Sequence, residues 1–140
     1  MTHSKRRVAP SVRLLRWLYL VGVICFALGV VLQVFFAGAA LLVNPDYLNT
    51  HRILGNTVAL LPVPMLILAM LARMPHRTTL LTVLLTLVTA LQYAFLWGVT
   101  DIGLPVWFRA FHAVNAIVMF VLAERLARTS WKLLRGPQVE

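Results

Sequence analysis

Apolar residues in this chain neither alternate with polar ones nor recur on one face; they run together. Four stretches, 14–43, 47–71, 78–98 and 104–126, are apolar nearly throughout. Each reaches the ~20 residues that a helix needs to cross a hydrocarbon core of ~30 Å. The ten-residue alternation of a membrane β-barrel does not occur. The pattern therefore predicts an all-α integral membrane protein with four helices. Its connections are only about three to six residues long, and short loops make successive helices antiparallel neighbours. An up-down-up-down four-helix bundle is expected, with helices one and three on one diagonal and two and four on the other. A basic tail at 1–13 and a second tail at 127–140 would flank a transmembrane domain at 14–126.

Composition agrees with this and removes alternatives. Of 140 residues, 61% are hydrophobic and 12% charged, where soluble domains carry roughly 25% charge. The first run follows basic residues and contains Ala37-Gly38-Ala39, but it is too long for a signal peptide and is expected to stay as a helix. Cys25 stands alone, so it forms no internal disulfide, and no CxxCH attaches haem covalently. A small buried core residue is the expectation for it.

The net charge of +9 is unevenly placed. Lys5, Arg6, Arg7, Arg13 and Arg16 open the first helix. Arg73 and Arg77 separate the second and third. Arg125, Arg128, Lys132 and Arg135 close the fourth. Only Arg52 and Arg109 fall on the other side, with Asp46 and Asp101. The positive-inside rule then sets both termini in the cytoplasm. The basic surface suits anionic lipid headgroups rather than nucleic acid, for which no binding module is present.

Polar residues interrupt the runs at matched places. The halves of the chain resemble each other. Leu32–Gly38 reads LQVFFAG and Leu91–Gly98 reads LQYAFLWG. Each is followed by a proline and then a histidine: PDYLNTHRILGN from Pro45, PVWFRAFHAVNA from Pro105. His51 lies six residues after its proline and His112 seven, so at 1.5 Å per residue they sit ~9 and ~10 Å in. Gln33 and Gln92 reach the same layer from the other two helices. Polar side chains inside a membrane are costly and mark candidate sites.

Two histidines at one depth on diagonal helices suit a metal held between them, and a haem iron takes two axial imidazoles. The second ring nitrogen then wants a partner, with Gln33, Gln92, Asn56 and Asn115 in range. Arg52 and Arg109 stand where haem propionates would emerge. Gly55 and Ala116, four residues beyond His51 and His112, leave space beside each ring. The plainer alternative makes the histidines interfacial hydrogen-bonding groups and the glutamines packing glue. Thr82, Thr86 and Thr89 are expected to bond back to their own helix, and Pro62 and Pro64 to kink helix two.

The strings LQVFFAG, HRILGN, LQYAFLWG and FHAVNA resemble an uncharacterised family of small bacterial four-helix membrane proteins, a domain of unknown function. That resemblance implies the fold and no mechanism. More distantly, histidines in a four-helix membrane bundle are similar to b-type cytochromes. Two-haem members of that class need four ligand histidines, and only His51 and His112 are available here. The sequence thus points to one haem b near the outer face, serving electron transfer with quinol or a redox partner subunit. The other readings are a non-catalytic accessory or scaffold subunit and a quinone- or lipid-binding membrane protein. Oligomeric state is not encoded in any motif.

Overall fold

The computed structural model describes residues 9–136, and every regular element among them is helical. The elements are α1 (Pro10–Leu42), α2 (Tyr47–Leu60), α3 (Pro62–Leu71), α4 (His76–Asp101) and α5 (Ala110–Arg135), with a 3₁₀ turn at Val106–Arg109 before α5. Four spans are long and apolar enough to cross a membrane: α1, α2 with α3, α4, and the 3₁₀ turn with α5. His3, Lys5, Arg6 and Arg7 lie outside the described residues.

Helices α1, α4 and α5 run further than their apolar runs. α1 already starts at Pro10, where a proline loses nothing because the first N–H groups of a helix have no partner in it. α5 continues past Leu126 to Arg135, because Leu126, Ser130 and Leu134 keep one buried stripe while Arg125, Arg128 and Lys132 stay exposed. The uniformly apolar run ends there, but an amphipathic helix carries on.

The second span is helical on both sides of Leu61. Pro62 and Pro64 have no N–H, so the carbonyls of Val58 and Leu60 lose their usual donors. The N–H of Leu61 is donated to the Val58 carbonyl at 3.1 Å, a local shift to three-residue bonding. Arg73 then takes a left-handed φ of 48° and turns the chain toward α4.

α1 packs against α5, α2 and α3, and α4 packs against α3 and α5. The core between them holds Val23, Phe26, Met65, Leu85, Met119, Ala123 and Leu126. α1 approaches the second span closely because it has no side chains at two points. A Cβ on Gly29 would lie 2.5 Å from Val58 Cγ2, and one on Gly22 would lie 3.1 Å from Met65 Cγ. Close approach through small residues is how membrane helices gain packing contact.

The outward surface is apolar. Leu28, Leu41, Leu87, Val114 and Ile117 are all exposed. An envelope of this kind is stable against lipid tails and not against water, and the chain is a multi-pass membrane protein. Cys25 belongs to that envelope: it is exposed, not in the core, because its position on α1 falls beside Ile24 and away from the Val23–Phe26 stripe.

Two polar layers bracket the core. One lies near the start of α1. There Tyr19 and Thr82 share a hydrogen bond of 2.6 Å between α1 and α4, and Thr82 Oγ1 also donates to the Thr78 carbonyl. Arg16 is buried, 6% exposed, rather than solvated with the other basic residues. Its Nε donates to the Ala72 carbonyl at 3.2 Å and its Nη2 to that of Arg73 at 3.4 Å. It caps α3, whose last carbonyls have no partner within the helix. The other layer contains Gln33, fourteen residues after Tyr19, or ~21 Å along α1.

Candidate functional site

The layer at Gln33 is built from all four spans. His51 is on the second turn of α2 and His112 on the first turn of α5. These spans are not direct packing neighbours, yet their imidazoles meet across the bundle. The ring centroids are 6.2 Å apart and the planes are inclined by 64°. Sequence position alone placed the two rings at one depth; the structure brings them close, with their planes steeply inclined.

Gln33 and His51 are joined twice. Gln33 Nε2 donates to the His51 carbonyl at 2.9 Å. His51 Nδ1 donates to the Gln33 carbonyl at 3.0 Å. A carbonyl only accepts, so Nδ1 carries the proton and a neutral ring keeps its lone pair on Nε2. The partner of the histidine is thus the backbone of Gln33, while the side chain of Gln33 bonds back to α2.

Gly55 makes this arrangement possible. A Cβ there would lie 2.9 Å from Gln33 Oε1. The space next to Gly55 is taken by the end of a flexible carboxamide. Ala116, the equivalent small residue after His112, is half-buried against the core.

On the other side, Asn115 is buried. Its Nδ2 donates to Gln92 Oε1 and to the Val88 carbonyl, both at 2.8 Å. Gln92 therefore faces Asn115 by its side chain. Its backbone carbonyl faces the His112 ring, as that of Gln33 faces His51. His112 Nδ1 is buried, with the Gln92 backbone as its hydrogen-bonding neighbour.

The remaining residues lie around this layer. Asn56 does not reach His51; its Oδ1 accepts from Tyr93 on α4 at 3.0 Å. Arg52 and Arg109 are exposed at the same end of the bundle, and neither has an ion pair or hydrogen bond among the described residues. Aromatic side chains close the end. Phe36 packs on Tyr47 at 6.1 Å, and Phe95 on Phe108 and Phe111 at 5.3 and 5.8 Å. An apolar groove of about 270 Å³ runs between the end of α1 and the start of α2, lined by Ala37, Ala40, Leu41, Pro45, Leu48 and His51.

The sequence set of His51, His112, Gln33, Gln92, Gly55 and Ala116 is thus gathered near one level, with Arg52 and Arg109 outside it. Asn115 was an open option as a histidine partner and is instead the partner of Gln92. Arg109, His112 and Asn115 stand three residues apart and so share one helix face, which is its signal in the sequence. Among the described residues no three histidine, cysteine, aspartate or glutamate side chains cluster to hold a metal; any metal here would rest on two imidazoles and on ligands of its own.

Residues 33–99 match a family of unknown function (DUF6220). The matched stretch begins at Gln33 and includes His51, Gly55 and Gln92, while Arg109, His112 and Asn115 lie beyond it. The match is consistent with the uncharacterised family anticipated from the motifs, and it brings no activity with it. No curated protein and no solved structure gave a significant match.

Proposed function

We propose that this chain is a b-type haem-binding membrane protein for electron transfer, in which His51 and His112 would hold one haem. The observation that carries this reading is the meeting of the two imidazoles across the bundle, 6.2 Å between centroids. At that spacing both imidazoles could reach one metal, whose bonds to histidine nitrogen are about 2 Å. His51 supports it further. Ligating histidines donate their second N–H to an acceptor that fixes tautomer and orientation, and His51 Nδ1 does so to Gln33. The donor set fits the group. The Gln33 carboxamide, which fills the space beside Gly55, is the end of a flexible side chain.

When bound, haem supplies a one-electron couple. The chain's own part is to hold and shield it. Gln33 orients His51, and Gln92 with Asn115 ties α4 to α5 beside His112. Arg52 and Arg109, unpaired among the described residues, offer their charges to the propionates. Phe36, Tyr47, Phe95, Phe108 and Phe111 limit water at that end. Both termini lie in the cytoplasm of a bacterial inner membrane, with the helices running up-down-up-down and the haem near the outer face. The two halves act as a repeat, since glutamine, aromatic and histidine recur in the same order in each. Electrons would be exchanged with quinol or with a redox partner subunit.

A second reading, an accessory or scaffold subunit, draws on the closed bonds of Gln33 with His51 and Gln92 with Asn115, which lock helices without any cofactor. Pigment content separates the two. The protein, expressed in haem-replete cells and purified in detergent, should give about one haem per chain in an alkaline pyridine assay. Haem-free protein of correct fold leaves the scaffold reading.

A further inference from the structure

Arginines and lysines gather at the end of the bundle where α1 starts and α5 finishes, with little acidic charge to meet them. Glu124 is the only carboxylate among the described residues at that end, and it is paired with Arg128 on its own helix. Asp46 and Asp101 lie at the other end. Within this basic end one place is built from both helices. Trp17 on α1 and Trp131 on α5 meet across the α1–α5 seam, with ring centroids 5.9 Å apart and planes inclined by 84°. Both are exposed. Arg135, one turn beyond Trp131, lays its guanidinium over that ring, 4.2 Å from the centroid. Arg13 stands one turn before Trp17, and Lys132 follows Trp131. Both cations are exposed, and neither has an ion pair among the described residues. Each arginine is thus displaced from its tryptophan toward the helix end.

Tryptophan rings settle at the headgroup level of a bilayer, and a cation attracted to the face of such a ring is held at that depth. Arg135 therefore stands beside lipid phosphates rather than in bulk water. Its planar fork takes a phosphate through two parallel N–H bonds, and Lys132 and Arg13 add positive charge that no carboxylate of the described chain neutralises. We propose that the α1–α5 seam at Arg13, Trp17, Trp131, Lys132 and Arg135 is a binding site for the phosphodiester of an anionic phospholipid headgroup. This is narrower than the general attraction of a basic surface for an anionic leaflet. Arg73 and Arg77 carry the same charge at the same end, but they flank the turn between α3 and α4, across the bundle from the seam, and no tryptophan lies on that turn. The site belongs to α1 and α5 alone and does not depend on what His51 and His112 hold.

The test is quenching of tryptophan fluorescence by phospholipids brominated on the acyl chain, titrated into the detergent-solubilised protein. Trp97→Phe with Trp107→Phe leaves Trp17 and Trp131 as the only tryptophans. Brominated phosphatidylglycerol should quench them saturably, at concentrations at least about 10-fold below those that brominated phosphatidylcholine requires. Adding Lys132→Gln and Arg135→Gln should weaken phosphatidylglycerol binding by at least about 10-fold, at roughly 5-fold per charge. Adding Arg73→Gln and Arg77→Gln instead should leave it within about 3-fold, because exposed charges more than ~8 Å away are screened at physiological salt. Equal quenching by the two lipids overturns the proposal. So does an equal loss in the two charge-removed proteins, which would reduce the seam to diffuse basic charge. Should a variant fail to fold, the unmodified chain decides the same point. Native mass spectrometry after exposure to an equal mixture of the two lipids should show phosphatidylglycerol retained in preference, and no preference overturns the proposal.

Discussion

Gln33 and His51 hold each other by two hydrogen bonds, each running from a side chain of one residue to the backbone carbonyl of the other. The pair locks α1 to α2 at a fixed height and fixes the proton on Nδ1 of His51. Losing one half of it should be felt. Gln33→Leu leaves the His51 carbonyl without its side-chain partner, though that carbonyl still belongs to a helix. A loss of about 1 kcal/mol is expected, read as a lower midpoint in thermal unfolding in detergent. An unchanged midpoint would mean the pair contributes orientation and not stability.

Three glycines, Gly29 and Gly38 on α1 and Gly55 on α2, should respond differently to alanine. Gly29→Ala sets a methyl 2.5 Å from the branched Val58 side chain, which has little freedom to move. Overpacking of that kind costs about 1–3 kcal/mol. Gly55→Ala meets only the end of Gln33, so Gln33 swings away and the cost is that of its hydrogen bond. Gly38→Ala meets nothing within 4 Å and should cost nothing. Thermal midpoints of the three proteins should rank Gly38→Ala above Gly55→Ala above Gly29→Ala. The reverse order for Gly29 and Gly55 would contradict the packing described.

Arg16 offers a test at the other end of the bundle. Its guanidinium serves two carbonyls from two different nitrogens. Arg16→Met keeps much of the stem's packing but strands both carbonyls and should destabilise by about 1–3 kcal/mol. Arg16→Lys brings one compact ammonium in place of a planar fork and should recover only part of the loss. Full recovery by lysine would make charge, not the fork, the important property.

The four spans were legible because a bilayer demands long apolar runs, and their lengths leave few alternatives. Their ends were less so. Past Leu126 the sequence becomes amphipathic, and a run-based boundary stops short of the helix. The histidine pair was legible from counting residues after Pro45 and Pro105, since helical rise turns a count into a depth. Its hydrogen bonds were not. Which atom of Gln33 meets His51 depends on how near α1 and α2 come, and that distance is set by Gly29 against Val58 and Gly55 against Gln33. Burial of Arg16 had no clear signal either, because an arginine in a basic segment reads as solvated until the end of α3 is seen beside it. Cys25 was misplaced for a related reason: in a helix apolar on every side, sequence alone does not say which side meets lipid.

Asn115 should be less replaceable than its neighbours. It donates to Gln92 and to the Val88 carbonyl from a buried position. Asn115→Leu removes both bonds between α5 and α4 and leaves Gln92 Oε1 unpaired there. A loss of about 1–2 kcal/mol is expected, against no measurable change for Ile117→Leu on the exposed face of the same helix. Equal effects of the two would show that the polar layer does not hold these helices.

The most direct measurement is the visible spectrum of the detergent-purified protein, oxidised and then reduced with dithionite, beside the His51→Ala protein prepared in the same way. The account predicts sharp low-spin bands on reduction in the parent, at about one haem per chain, and their loss in His51→Ala. A colourless parent from haem-replete cells, or unchanged bands in His51→Ala, would contradict it.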